Sequence, residues 1–407
     1  MRRVVVTGMA GITSLGDNWP AIEANLRAGR TGIRHMAEWD RYVDLNSHLG
    51  GPVEFALPAH YPRRMVRSMG RVALLSVRAT EMALADAGLL DDPTIRDGRM
   101  GIAYGSSSGS AEPIRAFGEM IETGRMLGVT STSYIQMMSH TGAVNIGLFF
   151  GLTGRVIPTS SACTSGSQSI GYAYEAIRFG RQDMMVAGGS EELSAADAAV
   201  FDTLFATSTR NETPELTPRP FDVARDGLVV GEGAATLILE EREYALARGA
   251  PIYAEIVGFA CNSDGTHVTQ PEAATMATAM RLALRDAGLP PAAMGYVNAH
   301  GTATDRGDIA ESRATHEVFG ARVPIASLKG HFGHTLGACG TIEAWLSIEM
   351  MRRGWFAPTA NLTHVDPNCG ELDYLMGDGR AIQVEYLMSN NFAFGGINTS
   401  LIFKRAE

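Results

Sequence analysis

The segment Met82-Ala83-Leu84-Ala85-Asp86-Ala87-Gly88-Leu89 returns later in the chain as Leu282-Ala283-Leu284-Arg285-Asp286-Ala287-Gly288-Leu289. Each copy predicts a helix that ends where glycine supplies a left-handed C-terminal cap. Each is followed by a short connection and an apolar strand, Met100 to Tyr104 in one case and Gly295 to Asn298 in the other. A second pair, Val4-Val5-Val6-Thr7-Gly8-Met9-Ala10 and Ala254-Glu255-Ile256-Val257-Gly258-Phe259-Ala260, opens a strand-rich stretch in both places. Late in each half comes a glycine-rich, strand-like run, Met184 to Ser190 and then Tyr386 to Gly396. Such self-similarity means one supersecondary unit used twice, set against chance likeness between Ala/Leu-rich helices that end in glycine. Alternating strands and helices predict an α/β fold of mainly parallel sheets covered by helices. The second copy starts near residue 251, which gives halves 1–250 and 251–407. No low-complexity tract or long charged linker separates them, so they should pack closely.

The 407 residues, 45% hydrophobic and 19% charged, are enough to bury a large core. With 34 basic against 44 acidic residues the formal charge is −10, which argues against a broad nucleic-acid or anionic-membrane surface. Cys163, Cys261, Cys339 and Cys369 form no CxxC pair and lack the density of a disulfide-stapled secreted domain, so a cytoplasmic location is expected. At the start, Thr7 and Gly8 interrupt the apolar run after Arg2 and Arg3, which reads as a buried strand rather than a signal peptide. The longest apolar stretch, Ala143 to Leu152, falls far short of the ~20 residues that a spanning helix needs, so no membrane insertion is expected.

Two nucleophile candidates stand out. Pro158-Thr159-Ser160-Ser161-Ala162-Cys163-Thr164-Ser165-Gly166-Ser167 is a small polar run between a strand and a helix whose inward face is Ile170, Ala173, Tyr174 and Ile177. That puts Cys163 near a helix N-terminus, where the macrodipole and unpaired N–H groups favour a thiolate. Against this, a free cysteine is commonly just a small buried hydrophobe. The rival is Gly105-Ser106-Ser107-Ser108-Gly109, a G-x-S-x-G match after a strand, which would make a serine hydrolase of Ser107. A hydrolase sheet of that kind is not duplicated, and a Gly/Ser loop is also an ordinary strand-end turn.

Two histidines in the second half sit among glycines, in Asn298-Ala299-His300-Gly301-Thr302-Ala303-Thr304 and in Lys329-Gly330-His331-Phe332-Gly333-His334-Thr335-Leu336-Gly337. His300 follows the strand of the repeated unit, and His334 precedes a helix through Glu343 and Trp345; strand ends of parallel sheets are where sites gather. His331 and His334 have a chelating spacing, yet cysteines and carboxylates with matching ligand spacing are missing, so no metal is expected.

Taken together, these residues resemble the type II β-ketoacyl-acyl-carrier-protein synthases of the thiolase superfamily. The resemblance covers essentially the whole chain through Ser160-Ser161-Ala162-Cys163, Pro220-Phe221-Asp222 to Asp226-Gly227, Gly231-Glu232-Gly233-Ala234, Asn298-Ala299-His300-Gly301-Thr302, Lys329 to Gly340, and Asn391-Phe392-Ala393-Phe394-Gly395-Gly396. It implies a duplicated five-layer α/β/α/β/α fold, usually dimeric, and a decarboxylative condensation of an acyl chain with a malonyl thioester. It implies Cys163 as the acylated nucleophile, His300 and His334 as the pair promoting decarboxylation, and Lys329 as the active-site lysine with Glu343 as its charge partner. The backbone N–H groups of Cys163 and Phe394 would form an oxyanion hole. Thr302 and Thr304 would bind the pantetheine arm, although both also suit a plain strand-end turn, and Phe392 would support the site.

No cofactor is implied beyond the phosphopantetheine that carries substrates on acyl carrier protein. Two departures from the family pattern matter: Ala393 stands where many members have glycine, and Ser108 lies where a larger aliphatic residue often limits the acyl pocket. Arg63, Arg64, Arg67 and Arg71, at helical spacing without an interleaved acid, suggest a docking face for acidic carrier protein or an ordinary solvated helix face. Met120, Met126, Met137 and Met138 lie in the segment that the family uses for dimer contact and acyl tunnel. Tyr134 to Gly154, with the Cys163 run, looks closer to ketosynthases of aryl-polyene or related polyene pathways than to housekeeping fatty-acid enzymes. The partner is then either a second copy or a ketosynthase-like chain-length factor lacking the cysteine. The opposite assignment, that this chain is itself the non-catalytic chain-length factor, is opposed by its retention of Cys163, His300, Lys329 and His334.

Overall fold

The computed structural model describes residues 1–406. Each half lays down a five-stranded sheet in the same spatial order. In the first, reading outward from the middle of the molecule, the strands are Val4–Ile12, Gly233–Glu241, Met184–Glu191, Met100–Gly105 and Val156–Thr159. In the second they are Ala254–Ser263, Ile397–Arg405, Tyr386–Ala393, Met294–Asn298 and Pro324–Ala326, with Asp373–Tyr374 added at the outer edge. The leading strands of the two halves meet antiparallel, with Val4, Val5 and Val6 opposite Ile256, Glu255 and Ala254, so the hydrogen bonding continues through 11 strands.

The expectation of mainly parallel sheets holds only for the outer strands. The inner three strands of each half are antiparallel neighbours. In the second half the cause is local: Phe394-Gly395-Gly396 closes a hairpin between Tyr386–Ala393 and Ile397–Arg405, with both glycines at positive φ. A turn that short can only return the chain antiparallel.

The repeat extends to side-chain and backbone contacts. A Cβ on Gly8 would lie 2.4 Å from the Ala83 carbonyl, and one on Gly258 2.5 Å from the Ala283 carbonyl. Only glycine lets the strand approach its helix that closely. Asp86 accepts the Met9 N–H at 2.9 Å, and Asp286 accepts the Phe259 N–H at 3.1 Å. Chance likeness of two alanine-rich helices would not reproduce both contacts.

Five layers follow from which helix packs on which sheet. Arg71–Asp86 covers the outer face of the first sheet, and Ala273–Ala287 with Asp305–Phe319 covers the second. Between the sheets lie Ser165–Arg178 and Cys339–Arg353. Every residue from Cys339 to Met351 is buried, as a helix enclosed on all sides requires. The two central helices touch at their starts, where a Cβ on Gly166 would lie 2.6 Å from Thr341 Oγ1 and one on Gly340 2.6 Å from the Ser167 nitrogen. That contact carries the segments before each helix into one place. No helix among the described residues is long and apolar enough to cross a membrane.

Candidate active site

Cys163, His300 and His334 each lie just beyond an outer strand or just before a central helix, and each has a left-handed neighbour. Ala162 has φ 48°, Gly301 36°, Ala303 66° and Leu336 45°. For a non-glycine residue this conformation costs on the order of 1 kcal/mol, and it is tolerated where the surrounding structure fixes it. These turns aim the three side chains at one point. Cys163 Sγ is 3.0 Å from His334 Nε2, and the two imidazoles stand nearly perpendicular with centroids 5.1 Å apart. One donor atom from each of the three falls within 4.8 Å of the others, a set that a zinc-class ion also accepts.

Hydrogen bonds fix the ring tautomers. The Leu336 N–H donates to His334 Nδ1 at 3.3 Å, so the proton of the neutral ring sits on Nε2, facing the sulfur. The Asn391 amide nitrogen faces His300 Nδ1 at 3.4 Å, which favours the same tautomer. Burial, and then the Lys329 cation, hold both rings well below the ordinary histidine range, so both are neutral donors at physiological pH.

The thiol departs from the expectation at a helix N-terminus. Burial pushes Cys163 up to about 11, while the Lys329 charge and the N–H groups of Phe394 and Cys163 pull it down without prevailing. Tertiary burial therefore outweighs the helix donors, and the resting form is the thiol.

Lys329 and Glu343 form a wholly buried ion pair. Burial alone would lower the lysine, but Glu343 holds it above its usual value, and the Asn391 amide donates to the second Glu343 oxygen at 2.7 Å. The pair therefore stays charged although burial raises Glu343, and its cation adds to burial in keeping both histidines neutral.

Sequence reasoning missed two buried carboxylates. Glu311 accepts the N–H groups of His300 and Gly301, each at 2.7 Å, and burial raises it to about 8. Glu191, raised by burial to about 7, accepts from Ser106 Oγ, from the Ser107 N–H and hydroxyl, and from the Gly337 N–H. The Gly105–Gly109 loop is thus a brace. Ser107 Oγ faces this carboxylate at 2.5 Å rather than a histidine, which removes the general base that the hydrolase reading needs. His331 turns away, its Nε2 bonding the Pro358 carbonyl at 3.0 Å.

Cys163, His300 and His334 open into a cavity of about 470 Å³, also lined by Thr302, Thr304, Phe392 and Phe394. The threonine hydroxyls bond each other at 2.9 Å. Phe394 stacks on Phe201 at 5.2 Å, and Phe392 meets the His300 ring edge-on at 6.2 Å. Ser108 does not line this cavity: Ser106 and Ser107 turn inward to Glu191, Gly109 reverses the chain at φ 71°, and Ser108 is left exposed. The four arginines do not share one helix face. Arg63–Val66 is a single turn, Gly70 breaks the run, and Arg71 begins the next helix, bound to the buried Glu232 and to the Val53 carbonyl. Arg63, Arg64 and Arg67 remain exposed.

The chain is similar to known proteins over its whole length. The N-terminal domain of the β-ketoacyl synthases matches residues 1–245 and their C-terminal domain residues 253–363. The chain is 36% identical to 3-oxoacyl-[acyl-carrier-protein] synthase 1 of Haemophilus influenzae, over 100% of this chain and 99% of that one. It is 38% identical to synthase 2 of Vibrio cholerae, over 99% of both. A crystal structure of a β-ketoacyl synthase from Burkholderia phymatum superposes with a TM-score of 0.99 at 66% identity, covering 100% of each chain. A type II PKS acyl-carrier protein in complex with its ketosynthase superposes at 0.88 with 31% identity, again over 100% of each. None of these four is named for a polyene pathway. The duplicated sheets, the cysteine and histidines at one cavity and the whole-length matches lead to one conclusion: the chain belongs to the β-ketoacyl synthases, acyltransferase-type condensing enzymes of the thiolase fold.

Proposed function

We propose that Cys163 carries the growing acyl chain and that His300 and His334 generate the carbon nucleophile that extends it. The observation that carries this reading is the pair of neutral Nε2–H donors beside a buried thiol in one cavity. Cys163 sulfur attacks the acyl thioester on carrier protein; the phosphopantetheine thiol leaves and takes the cysteine proton. A malonyl thioester then enters, with its pantetheine arm against Thr302 and Thr304. Its C–C bond breaks to release CO2, and the electron pair moves into an enolate whose oxygen accepts from both imidazoles. The enolate carbon attacks the Cys163 thioester. The new oxyanion is held by the N–H groups of Cys163 and Phe394, and collapse expels the Cys163 thiolate, which takes up a proton from solvent.

Burial, aided by the Lys329 cation that Glu343 fixes, keeps the histidines neutral, so they donate without protonating the carbanion. The chain-length-factor alternative is disfavoured by this complete set. Acyl carrier protein is the proposed partner, with Arg63, Arg64 and Arg67 as its docking charges. Ile121, Met126, Leu127, Tyr134 and Leu148 are exposed apolar groups, and Val156–Thr159 is an open sheet edge. We assign this face to a second ketosynthase-fold subunit, a copy of this chain being the simplest. A cytoplasmic location fits four cysteines that are all free.

Release of CO2 from malonyl-carrier protein separates the roles. Cys163→Ala should retain decarboxylation while losing condensation, and His300→Ala and His334→Ala should each lose decarboxylation by ~10²-fold or more. Decarboxylation that survives in both histidine variants would reject the assignment.

A further inference from the structure

A second cluster of ligand-type side chains lies away from the cavity, in the loop from His35 to His48. The strand Arg34–His35 pairs antiparallel with Leu49–Gly51, which sets His35 opposite Leu49, and the Met36 N–H donates to the His48 carbonyl at 2.7 Å. This register brings the two imidazoles edge to face, 5.8 Å between centroids. His35 Nε2 lies 2.8 Å and His48 Nδ1 2.6 Å from the same Asp40 oxygen. His48 Nε2 is 2.9 Å from the Leu45 carbonyl, which only accepts, so that nitrogen carries the proton. In the neutral ring, Nδ1 is then a bare lone pair aimed at a carboxylate. Lone pairs of the ring and the carboxylate then converge on one point, which an ion with bonds of about 2.0–2.1 Å would occupy once the two ligands part by roughly half an ångström. A ring N–H tied to a backbone carbonyl is also what orients a metal-binding histidine.

We propose that His35 Nε2, His48 Nδ1 and an Asp40 oxygen bind a divalent cation of the zinc class, with water completing the coordination. The three ligand atoms lie within 4.8 Å of one another. Two nitrogens among three donors select a borderline ion over calcium or magnesium. Side-chain exposures of 37% for His35, 19% for His48 and 53% for Asp40 leave an open path for entry.

Such an ion would staple one wall of the catalytic cavity. Between the ligands, Met36, Trp39 and Leu45 pack on the cluster that contains Phe201 and Leu336 and abuts Phe394. Next to them, Asn46 donates its N–H and its side-chain amide to Asp202 at 2.8 and 2.9 Å, at the end of the helix that carries Phe201. Binding to the folded loop alone raises stability by mass action.

The test titrates metal-stripped, full-length Cys163→Ala protein with ZnCl2 by calorimetry and follows its Tm; this background removes the thiol–imidazole trio as a competing site. One equivalent bound with a rise in Tm is expected. Affinity should fall about tenfold or more in the added variants His35→Gln, His48→Gln and the exposed Asp40→Asn, with loss of the Tm rise. His60→Gln, at a separate histidine paired with Glu81, should leave both unchanged. No binding, or equal affinity in all four variants, overturns the proposal.

Discussion

The two central helices invite comparison because each begins beside a buried cysteine. Cys163 lies just before Ser165–Arg178, and Cys339 is the first residue of Cys339–Arg353. Helix position alone recommends both equally. Yet Cys163 lines the cavity and meets His334, whereas Cys339 is fully buried outside it, donates to the Cys163 carbonyl at 3.2 Å, and is pushed well above the usual thiol range by burial. A helix N-terminus does not make a nucleophile. Access to substrate and an imidazole at hydrogen-bond distance do, and of the two only Cys163 has both.

The largest expected effect separates the two cysteines. Cys163→Ala should abolish condensation, by ~10³-fold or more, and Cys339→Ala should leave kcat within about threefold, as measured by β-ketoacyl product formation. A severe loss in Cys339→Ala would put the second helix into the chemistry.

Next comes the buried pair that only the second half possesses. Lys329→Met alone leaves Glu343 unpaired and should destabilise the fold by about 3–5 kcal/mol, seen as a lower denaturation midpoint. The double variant Lys329→Met/Glu343→Leu should recover much of that stability but not full decarboxylation, since the cation that adds to burial in keeping the histidines neutral is gone. Recovery of both would reduce the pair to a structural role.

A smaller effect is expected at Glu311, which positions His300 through backbone rather than touching substrate. Glu311→Gln leaves one carboxamide oxygen for two N–H groups and should cost about 1–3 kcal/mol of local order. The readout is a fall in kcat of roughly tenfold with little change in KM and an unchanged circular dichroism spectrum.

Least affected should be Arg67→Glu, expected to raise KM for acyl-carrier protein a few-fold, with the difference fading at high salt. Arg71→Glu should instead lower the melting temperature, because that arginine neutralises the buried Glu232.

The sequence made the scaffold legible where signals are local. Glycine caps, paired strand glycines and the segments around Cys163, His300 and His334 sit in short motifs whose residues carry their own meaning. What stayed hidden depended on tertiary neighbours. Glu311 lies in the highly charged helix Asp305–Phe319, and only the fold shows that it and Asp308 are buried against the turn after His300. Arg71 matched a helical spacing that Gly70 interrupts, and Ser108 follows two serines, Ser106 and Ser107, that do point inward. The Cys163 thiol was expected to ionise readily because dipole and donors are visible in sequence, whereas the burial that outweighs them is not. The inner antiparallel strands escaped for a similar reason: the tight turn at Gly395-Gly396 lay inside one apparent run.

The most direct test of the central claim is peptide mapping by mass spectrometry after wild-type protein meets acyl-carrier protein and then malonyl-carrier protein. The account predicts an acyl adduct on Cys163 alone, discharged as a β-ketoacyl product when the malonyl substrate arrives. An adduct on Cys339 or Ser107, or a Cys163 adduct that malonyl-carrier protein does not discharge, would contradict it.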